Sequence, residues 1–144
     1  MINRVALVTG GFDPLHKGHI SYFKEARSMA NLLLVGVNSS SWLERKKGKE
    51  FMPSSDRIEI IKHLKMVEGV FLFDDRDNTA IEAINNAKML YPNSVIIFCN
   101  GGDRTANNIP ELDHFKNDPS VEFAFGVGGN KINSSSELLK NWQR

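Results

Sequence analysis

The sequence predicts an α/β protein with a doubly wound, five-stranded parallel sheet and helices on both faces. Two observations carry this prediction. Short apolar runs alternate with segments of helical period along the 144 residues. Several of these runs are apolar at consecutive positions, as strands that are covered on both faces must be. Five strand–helix repeats in series favour parallel strands joined by helices on the two sides of one sheet.

The predicted elements alternate from the N-terminus without a linker, an internal repeat or a low-complexity tract, so residues 1–144 are predicted to form a single domain. In the first helix Ile20, Phe23 and Ala30 share one face, which predicts the side that packs on the sheet. The strands are predicted at residues 4–10, 31–38, 70–74, 94–100 and 121–128, and the helices at residues 19–30, 54–67, 78–91, 108–118 and 134–142.

Composition narrows the classes of function. The 18 basic and 17 acidic side chains leave a net charge of +1, which gives no long-range field to hold a polyanion, so nucleic acid is not expected as a partner. No apolar run approaches the ~20 residues of a membrane span, and no signal-peptide pattern is present, so we expect a soluble cytoplasmic protein without a membrane partner. Cys99 lies in an apolar run and predicts a small buried hydrophobe.

The segments that follow the predicted strands concentrate glycine, basic and hydroxyl side chains. In order they are "GGFDPLHKGH", "NSSSWLERKKGK", "DDRDNT", "NGGDR" and "GVGGNKINSSS". Ligands of a doubly wound sheet bind outside the carboxyl ends of its strands. Glycine lets backbone amides approach an anion, helix N-termini add partial positive charge, and Lys and Arg add full charges. The sequence therefore predicts a phosphate site at this edge of the sheet.

The pattern "HKGH" at residues 16–19 matches the HxGH signature. The chain also carries "RKKG" after the second strand, Arg57 near the start of the next helix, "GGD" after the fourth strand and "SSSELL" at the start of the last helix. With these motifs in this order, the chain resembles the cytidylyltransferase-like nucleotidyltransferases. That family includes cytidylyltransferases for glycerol phosphate or phosphocholine and adenylyltransferases for heptose phosphate or pantetheine phosphate.

The resemblance implies a Rossmann-like fold and an enzyme that transfers AMP or CMP from ATP or CTP to a phosphorylated small molecule, such as a sugar phosphate or glycerol phosphate, with release of pyrophosphate. It implies Mg²⁺ bound with the triphosphate and a homodimer. "GGD" is closer to the heptose phosphate adenylyltransferases, which favours ATP. Family members often carry Thr, Ser or Cys where this chain has Gly11. The alternative is a regulatory module that binds a nucleotide without turnover.

His16 and His19 are the predicted catalytic donors. Attack on an α-phosphorus builds negative charge on oxygen, and imidazoles placed beside a small residue, Gly18, can stabilise it. The alternatives are structural histidines or a metal pair. A metal pair needs a third ligand, but His63 and His114 lie in amphipathic helical segments.

Lys46 and Lys47 are predicted to be catalytic on a loop that closes over phosphates, with Gly48 for flexibility; the alternative is a solvated, self-neutralised loop. Arg57 and Arg104 are assigned to the acceptor phosphate. A cation near a helix start is slightly unfavourable with the dipole, so an anionic partner would explain Arg57.

The predicted nucleotide site draws on the glycine-rich turns and on the start of the last helix. Asp13 is a candidate organiser of the loop or the metal, and ordinary turn chemistry before Pro14 is the alternative. Ser134 with Glu137 forms a capping box pattern, which leaves the next two hydroxyls for phosphate. Residues 74–79 stay unassigned, since Asp77 or Asn78 can cap the following helix. The assigned residues are Gly10, Gly11, Phe12, Asp13, Gly18, Gly101, Asp103, Ser134, Ser135 and Ser136.

Overall fold

The computed structural model describes residues 3–102, 105, 109–129 and 135–142. Within these residues five strands form one sheet in the order β3-β2-β1-β4-β5, and every neighbouring pair is parallel. The predicted fold class, an α/β protein with a Rossmann-like doubly wound sheet, is confirmed. The strands are β1 (Asn3–Gly10), β2 (Leu32–Val37), β3 (Gly69–Leu72), β4 (Ser94–Cys99) and β5 (Val121–Ala124).

Helices connect the strands in the predicted alternation. The first, third, fourth, fifth and sixth fall inside or overlap the predicted ranges. The helices are α1 (Lys17–Ser28), α2 (Ser40–Lys47), α3 (Ser54–Lys62), α4 (Ile81–Leu90), α5 (Pro110–Phe115) and α6 (Ser135–Trp142). Among the helices of the described residues, none combines the length and the apolar character that crossing a membrane requires.

The two faces of the sheet bury separate apolar clusters. Side chains alternate along β1, so Val5 and Leu7 face α4 and α5, whereas Ala6 and Val8 face α1 and α3. Both sets are completely buried. Each large apolar side chain that leaves water contributes about 1.5–3 kcal/mol, which explains why the strands are apolar at consecutive positions. The two apolar clusters thus hold the helices against the sheet, whose carboxyl edge carries the candidate site.

The strand order reverses between β1 and β4. The chain first proceeds from β1 outwards to β2 and β3 and then returns to the other side of β1 to form β4. The loops that follow β1 and β4 therefore diverge at the carboxyl ends of these strands and leave a crevice there. Residues 10–16, which we call the signature loop, lead from the end of β1 into α1 at this point.

The segment after β2 is a helix and not the predicted loop. Ser39 Oγ accepts a hydrogen bond from the Trp42 N–H at 3.1 Å and so caps α2, which runs to Lys47. Gly48 ends it with a φ of 90° in the left-handed region. Serine at the start, basic residues in the last turn and glycine after it are ordinary helix boundaries. The prediction of a flexible lysine loop is therefore wrong.

The start of α4 also differs from the prediction. Neither Asp77 nor Asn78 caps the helix, because Asp77 Oδ1 accepts bonds from the N–H and hydroxyl of Thr79. The N-cap residue is Ala80, and its N–H donates to Glu111 Oε2 of α5 at 2.7 Å. The helix start is thus held by buried Glu111 of another element and by local Thr79, whose Oγ1 accepts the Ile81 N–H at 3.2 Å.

A turn at residues 126–129 packs on α1 and takes the place of the predicted end of β5. The Gly128 N–H donates to Glu25 Oε2 at 2.5 Å. A Cβ at Gly128 would lie 2.8 Å from Tyr22 Cα, and the Tyr22 hydroxyl donates to the Cys99 carbonyl at 2.6 Å. Contacts from both sides therefore hold α1 against the end of β4.

Gly128 and Gly129 form a matched pair that tests this packing. Both have positive φ, and for Gly129 no atom of the described residues lies within 4 Å of the added Cβ, so Gly129→Ala should cost only the left-handed penalty of about 1–2 kcal/mol. Gly128→Ala should lower the free energy of unfolding by at least about 1 kcal/mol more, because the added Cβ would clash with the backbone of Tyr22, which cannot rotate aside as a side chain can. Urea unfolding measures both losses. Equal losses would show that the turn does not pack on α1.

Candidate active site

The two signature histidines form a reciprocal cap at the start of α1. His16 is the N-cap residue, and its Nδ1 accepts a hydrogen bond from the Gly18 N–H at 3.1 Å. The N–H of His16 donates in turn to His19 Nδ1 at 3.2 Å. This is a capping box in which imidazoles take the places of the usual Ser and Glu side chains. The three-residue spacing of the histidines is therefore the spacing that a helix start requires.

The cap fixes the protonation pattern of both rings. Each Nδ1 accepts a backbone N–H, so in the neutral form the proton of each imidazole is on Nε2. The rings stack with their centroids 3.8 Å apart and an interplanar angle of 27°. The site thus holds two half-buried N–H donors, and α1 has no acidic side chain in its first turn to neutralise its positive end.

The first part of the signature loop is tightly packed. A Cβ at Gly10 would lie 3.0 Å from the Phe12 ring, and one at Gly11 would lie 2.9 Å from Leu43 Cδ2. Phe12 has a φ of 50°, unusual for a residue with a side chain, and its buried ring meets His19 edge-on with centroids 5.0 Å apart. The loop therefore packs against α2 and against a catalytic candidate, while its predicted nucleotide contacts stay predictions.

Asp13 organises the segment between α2 and α3. Its two carboxylate oxygens accept the N–H groups of Phe51 and Met52 at 2.6 and 2.7 Å, and the side chain is 2 % exposed. Charge-assisted bonds of this kind are about twice as strong as neutral ones. The contact of Asp13 with a nucleotide or its metal stays a prediction.

Arg57 lies inside the protein, not at a helix surface. Its Nη1 donates to the carbonyls of Gly11 and Asn38 at 2.9 and 2.7 Å, and its Nε donates to the Met52 carbonyl at 3.1 Å. Burial lowers the pKa of the guanidinium, against the opposing effect of nearby carboxylates that include Glu50. Glu50 Oε2 is 3.6 Å from Arg57 Nη2. The predicted contact of Arg57 with an acceptor phosphate stays a prediction.

Lys46 and Lys47 lie in the last turn of α2, where cations interact favourably with the helix dipole. Both are exposed, and Lys46 Nζ lies 5.5 Å from the centroid of the Trp42 ring. The Trp42 ring is also near Gly11, 3.6 Å from the position that a Cβ would take. Trp42 of α2 is therefore near both Lys46 and the signature loop.

The remaining predicted residues are divided between the described and the undescribed parts of the chain. A Cβ at Gly101 would lie 3.1 Å from the Val127 carbonyl, so the backbone there is close-packed. The Ser135 hydroxyl donates to the Pro14 carbonyl at 2.7 Å, which joins α6 to the signature loop. Ser136 is exposed in the first turn of α6. Asp103, Arg104 and Ser134 lie outside the described residues.

Asp75, which the sequence argument left unassigned, connects the ends of β2 and β3. It is 2 % exposed, and its carboxylate accepts bonds from Asn38 Nδ2 at 3.0 Å and from the Ser39 N–H and hydroxyl at 2.8 and 2.7 Å. Its position directly after β3, at the same sheet edge as the other motifs, was the signal that marked it. The neighbouring Asp74 is exposed, and its hydrogen bonds with Arg76 lower its pKa to about 2.

The structure also bears on the chemistry of metals and thiols. In the part of the chain that the structure describes, no three His, Cys, Asp or Glu side chains come together as a site for a metal ion. Burial raises the pKa of the Cys99 thiol to about 12, so this side chain is an apolar group at physiological pH.

Solved structures share this fold. A lipopolysaccharide core biosynthesis protein from Thermoplasma volcanium superposes with a TM-score of 0.67 over 92% of this chain and 100% of its own, at 23% identity. A putative nicotinate-nucleotide adenylyltransferase from Vibrio parahaemolyticus gives a TM-score of 0.67 over 96% of this chain and 86% of its own, at 15% identity. At these identities the likeness concerns the fold alone.

Curated proteins provide relatives of higher sequence identity than these solved structures. The chain is 31% identical to the bifunctional protein HldE of Nitratiruptor over 125 residues, which are 85% of this chain and 25% of that protein. It is 32% identical to HldE of Geobacter sulfurreducens over 74% of this chain and 20% of that protein. The chain thus spans about a quarter or less of these relatives. The profile described as cytidylyltransferase-like matches residues 7–119, most of the chain and all of the signature loop, and the chain belongs to this family.

Proposed function

We propose that the chain transfers a nucleotidyl group, AMP or CMP, from ATP or CTP to a phosphorylated small molecule. A phosphate oxygen of the acceptor forms a bond to the α-phosphorus, the bond between this phosphorus and the bridging oxygen breaks, and pyrophosphate leaves. The observation that carries the proposal is the reciprocal cap of His16 and His19. It holds both imidazoles in the tautomer that donates from Nε2.

Two fixed donors suit this reaction because its negative charge grows on the oxygens around the α-phosphorus and on the leaving pyrophosphate. Donors that are already oriented stabilise that charge without reorganisation. The Nδ1 contacts orient the rings of His16 and His19, and the N-terminus of α1 adds a partial positive charge at the same place. No covalent intermediate with the protein is needed.

The substrates follow from the family and from the motifs. Mg²⁺ belongs to the triphosphate substrate and supplies charge neutralisation on its oxygens. ATP with a sugar phosphate is the first pair to test, because the "GGD" motif resembles that of the heptose phosphate adenylyltransferases. CTP with glycerol phosphate or phosphocholine is the second pair. We further propose a cytoplasmic homodimer as the active form.

Pyrophosphate release with these pairs, measured on wild type and on two cap-preserving variants, tests the reaction and the role of the histidines. Asn is a good N-cap and Gln suits the third position of a capping box, so His16→Asn and His19→Gln keep the backbone bonds of α1. We expect kcat to fall roughly 100-fold or more in each variant, because an oriented donor is lost. The free energy of unfolding should change by less than about 1 kcal/mol.

The controls separate three outcomes. Wild type that binds ATP or CTP without releasing pyrophosphate from any pair would identify a regulatory nucleotide-binding module and reject the proposed reaction. Near-normal kcat in both variants would reject the histidines as donors while leaving the reaction in place. Melting curves of the three proteins show whether a loss of activity is a loss of folded protein.

The double variant Lys46→Ala/Lys47→Ala tests whether α2 acts on the triphosphate. If the lysines reach the phosphates, kcat should fall at least tenfold and triphosphate binding should weaken, because charge-assisted contacts are lost. Lys49→Ala is the matched control, since it removes an exposed lysine just beyond the helix. Steady-state kinetics of both proteins decide. Equal kinetics in the double variant and the control would leave the lysines as a solvated helix end.

Ser135 and Ser136 separate a structural from a binding hydroxyl. Ser135→Ala removes the bond to the Pro14 carbonyl and should lower the free energy of unfolding by about 1 kcal/mol. Ser136 is exposed, so Ser136→Ala should keep the stability and weaken triphosphate binding by about 1 kcal/mol or more. Calorimetric titration with a nonhydrolysable triphosphate, beside melting curves, measures both. Wild-type affinity in Ser136→Ala would show that this hydroxyl does not hold a phosphate.

A further inference from the structure

Arg57 joins three segments of the site through backbone carbonyls. The carbonyl of Gly11 belongs to the signature loop, that of Asn38 follows β2, and that of Met52 lies between α2 and α3. The guanidinium is 1 % exposed and donates to all three at 2.7–3.1 Å. A single side chain therefore sets the separation of three loops that reach the same sheet edge.

The charges around Arg57 are unfavourable for a phosphate. The carboxylates of Asp13, Glu50 and Asp75 all act on the guanidinium, so the negative charges near it already outnumber its single positive charge. Its remaining nitrogen, Nη2, faces Glu50 Oε2 at 3.6 Å, and neither atom has a hydrogen-bond partner within the described residues. An incoming phosphate would have to displace Glu50 and approach the other two carboxylates.

Asp13 makes a second connection between the signature loop and the segment after α2. Asp13 of the signature loop holds the N–H groups of Phe51 and Met52, while Arg57 holds the Met52 carbonyl and the Gly11 carbonyl. The signature loop and the segment after α2 are thus joined on both sides of Met52. Since α2 ends only a few residues before this segment, the same contacts also hold the chain that leaves α2.

We propose that Arg57 is a positioning residue, which fixes the signature loop against residues 48–53, and that Glu50 is its counter-charge. This rests on the proposed function for its kinetic consequences only. Arg57 then acts through the placement of His16 and His19 and does not hold the acceptor phosphate. Displacements of about 1 Å in such a site cost roughly 100-fold in rate.

Lysine at position 57 distinguishes the two roles. A lysine keeps the charge but offers one compact ammonium, which cannot reach three carbonyls in the planar geometry of a guanidinium. A phosphate-binding site tolerates the exchange better, because lysine also binds phosphate as a point charge. Arg57→Lys should therefore lower kcat at least tenfold, with the acceptor KM within twofold of wild type.

The kinetic test compares Arg57→Lys and Glu50→Gln with Arg4→Lys, a control at the opposite end of β1 whose arginine pairs with Glu122 on the surface. Rates are taken per folded protein, from melting curves of each variant. A rise of tenfold or more in the acceptor KM of Arg57→Lys with kcat preserved would overturn the proposal. Wild-type kcat and KM values in Arg57→Lys would overturn it as well.

Glu50→Gln keeps the test decisive if Arg57→Lys fails to fold. We expect an acceptor KM within twofold of wild type, because Gln still offers an oxygen to Nη2 and no phosphate competes for it. If Glu50 instead occupied the place of the acceptor phosphate, its neutralisation would lower the acceptor KM several-fold. That result would overturn the proposal.

Amide hydrogen exchange tests the positioning without any assay of activity. Loss of the carbonyl contacts should speed exchange at Phe51, Met52 and within residues 10–13 of Arg57→Lys at least tenfold, while Arg4→Lys stays at wild-type rates. Unchanged exchange in Arg57→Lys would overturn the proposal. If wild type transfers no nucleotidyl group, the proposed function fails and the exchange result still decides the role of Arg57.

Discussion

Buried charge at the carboxyl ends of β1, β2 and β3 is the constraint on which the site depends. Asp13, Arg57 and Asp75 are each at most 2 % exposed, and a buried charge is costly unless hydrogen bonds and counter-charges compensate it. Here the compensating groups are mostly backbone N–H and carbonyl groups of the neighbouring loops. The hydrogen bonds that compensate these charges also hold the loops in one arrangement. The buried charges therefore determine the shape of the site.

In the proposed reaction, the signature histidines have two roles that use different ring atoms. Nδ1 of His16 and His19 completes the backbone hydrogen bonds at the start of α1, which any helix needs. That contact leaves Nε2 as the protonated nitrogen, which is the atom suited to a developing negative charge. Structural and catalytic interpretations of the HxGH spacing are therefore not alternatives. A helix start that already favours anions gains two further donors because its cap is made of imidazoles.

The sequence predicts the structural features that depend on local residue patterns. It does not predict the features that depend on contacts between residues distant in the chain. The parallel sheet, its two covered faces and the helical position of His19 follow from apolar runs, helical periodicity and motif position. Helix α2 was not predicted although Ser39 and Gly48 mark its ends, because the lysine run and Gly48 were interpreted as a phosphate-binding loop. The sequence could not predict the contact of Glu111 with the start of α4 or the burial of Arg57. Both depend on partners far along the chain, and no local pattern indicates them.

Gly11 shows how such distant contacts change a motif. A larger side chain at this position would need space beside the loop, but Leu43 of α2 fills it, 2.9 Å from where a Cβ would stand. Leu43 is completely buried, so the loop and α2 meet through close packing instead of a side-chain hydrogen bond. Trp42, the residue before Leu43, also lies near Gly11, and Lys46 Nζ is 5.5 Å from the centroid of its ring. The absence of a side chain at Gly11 is therefore the condition for this close packing of α2 on the signature loop.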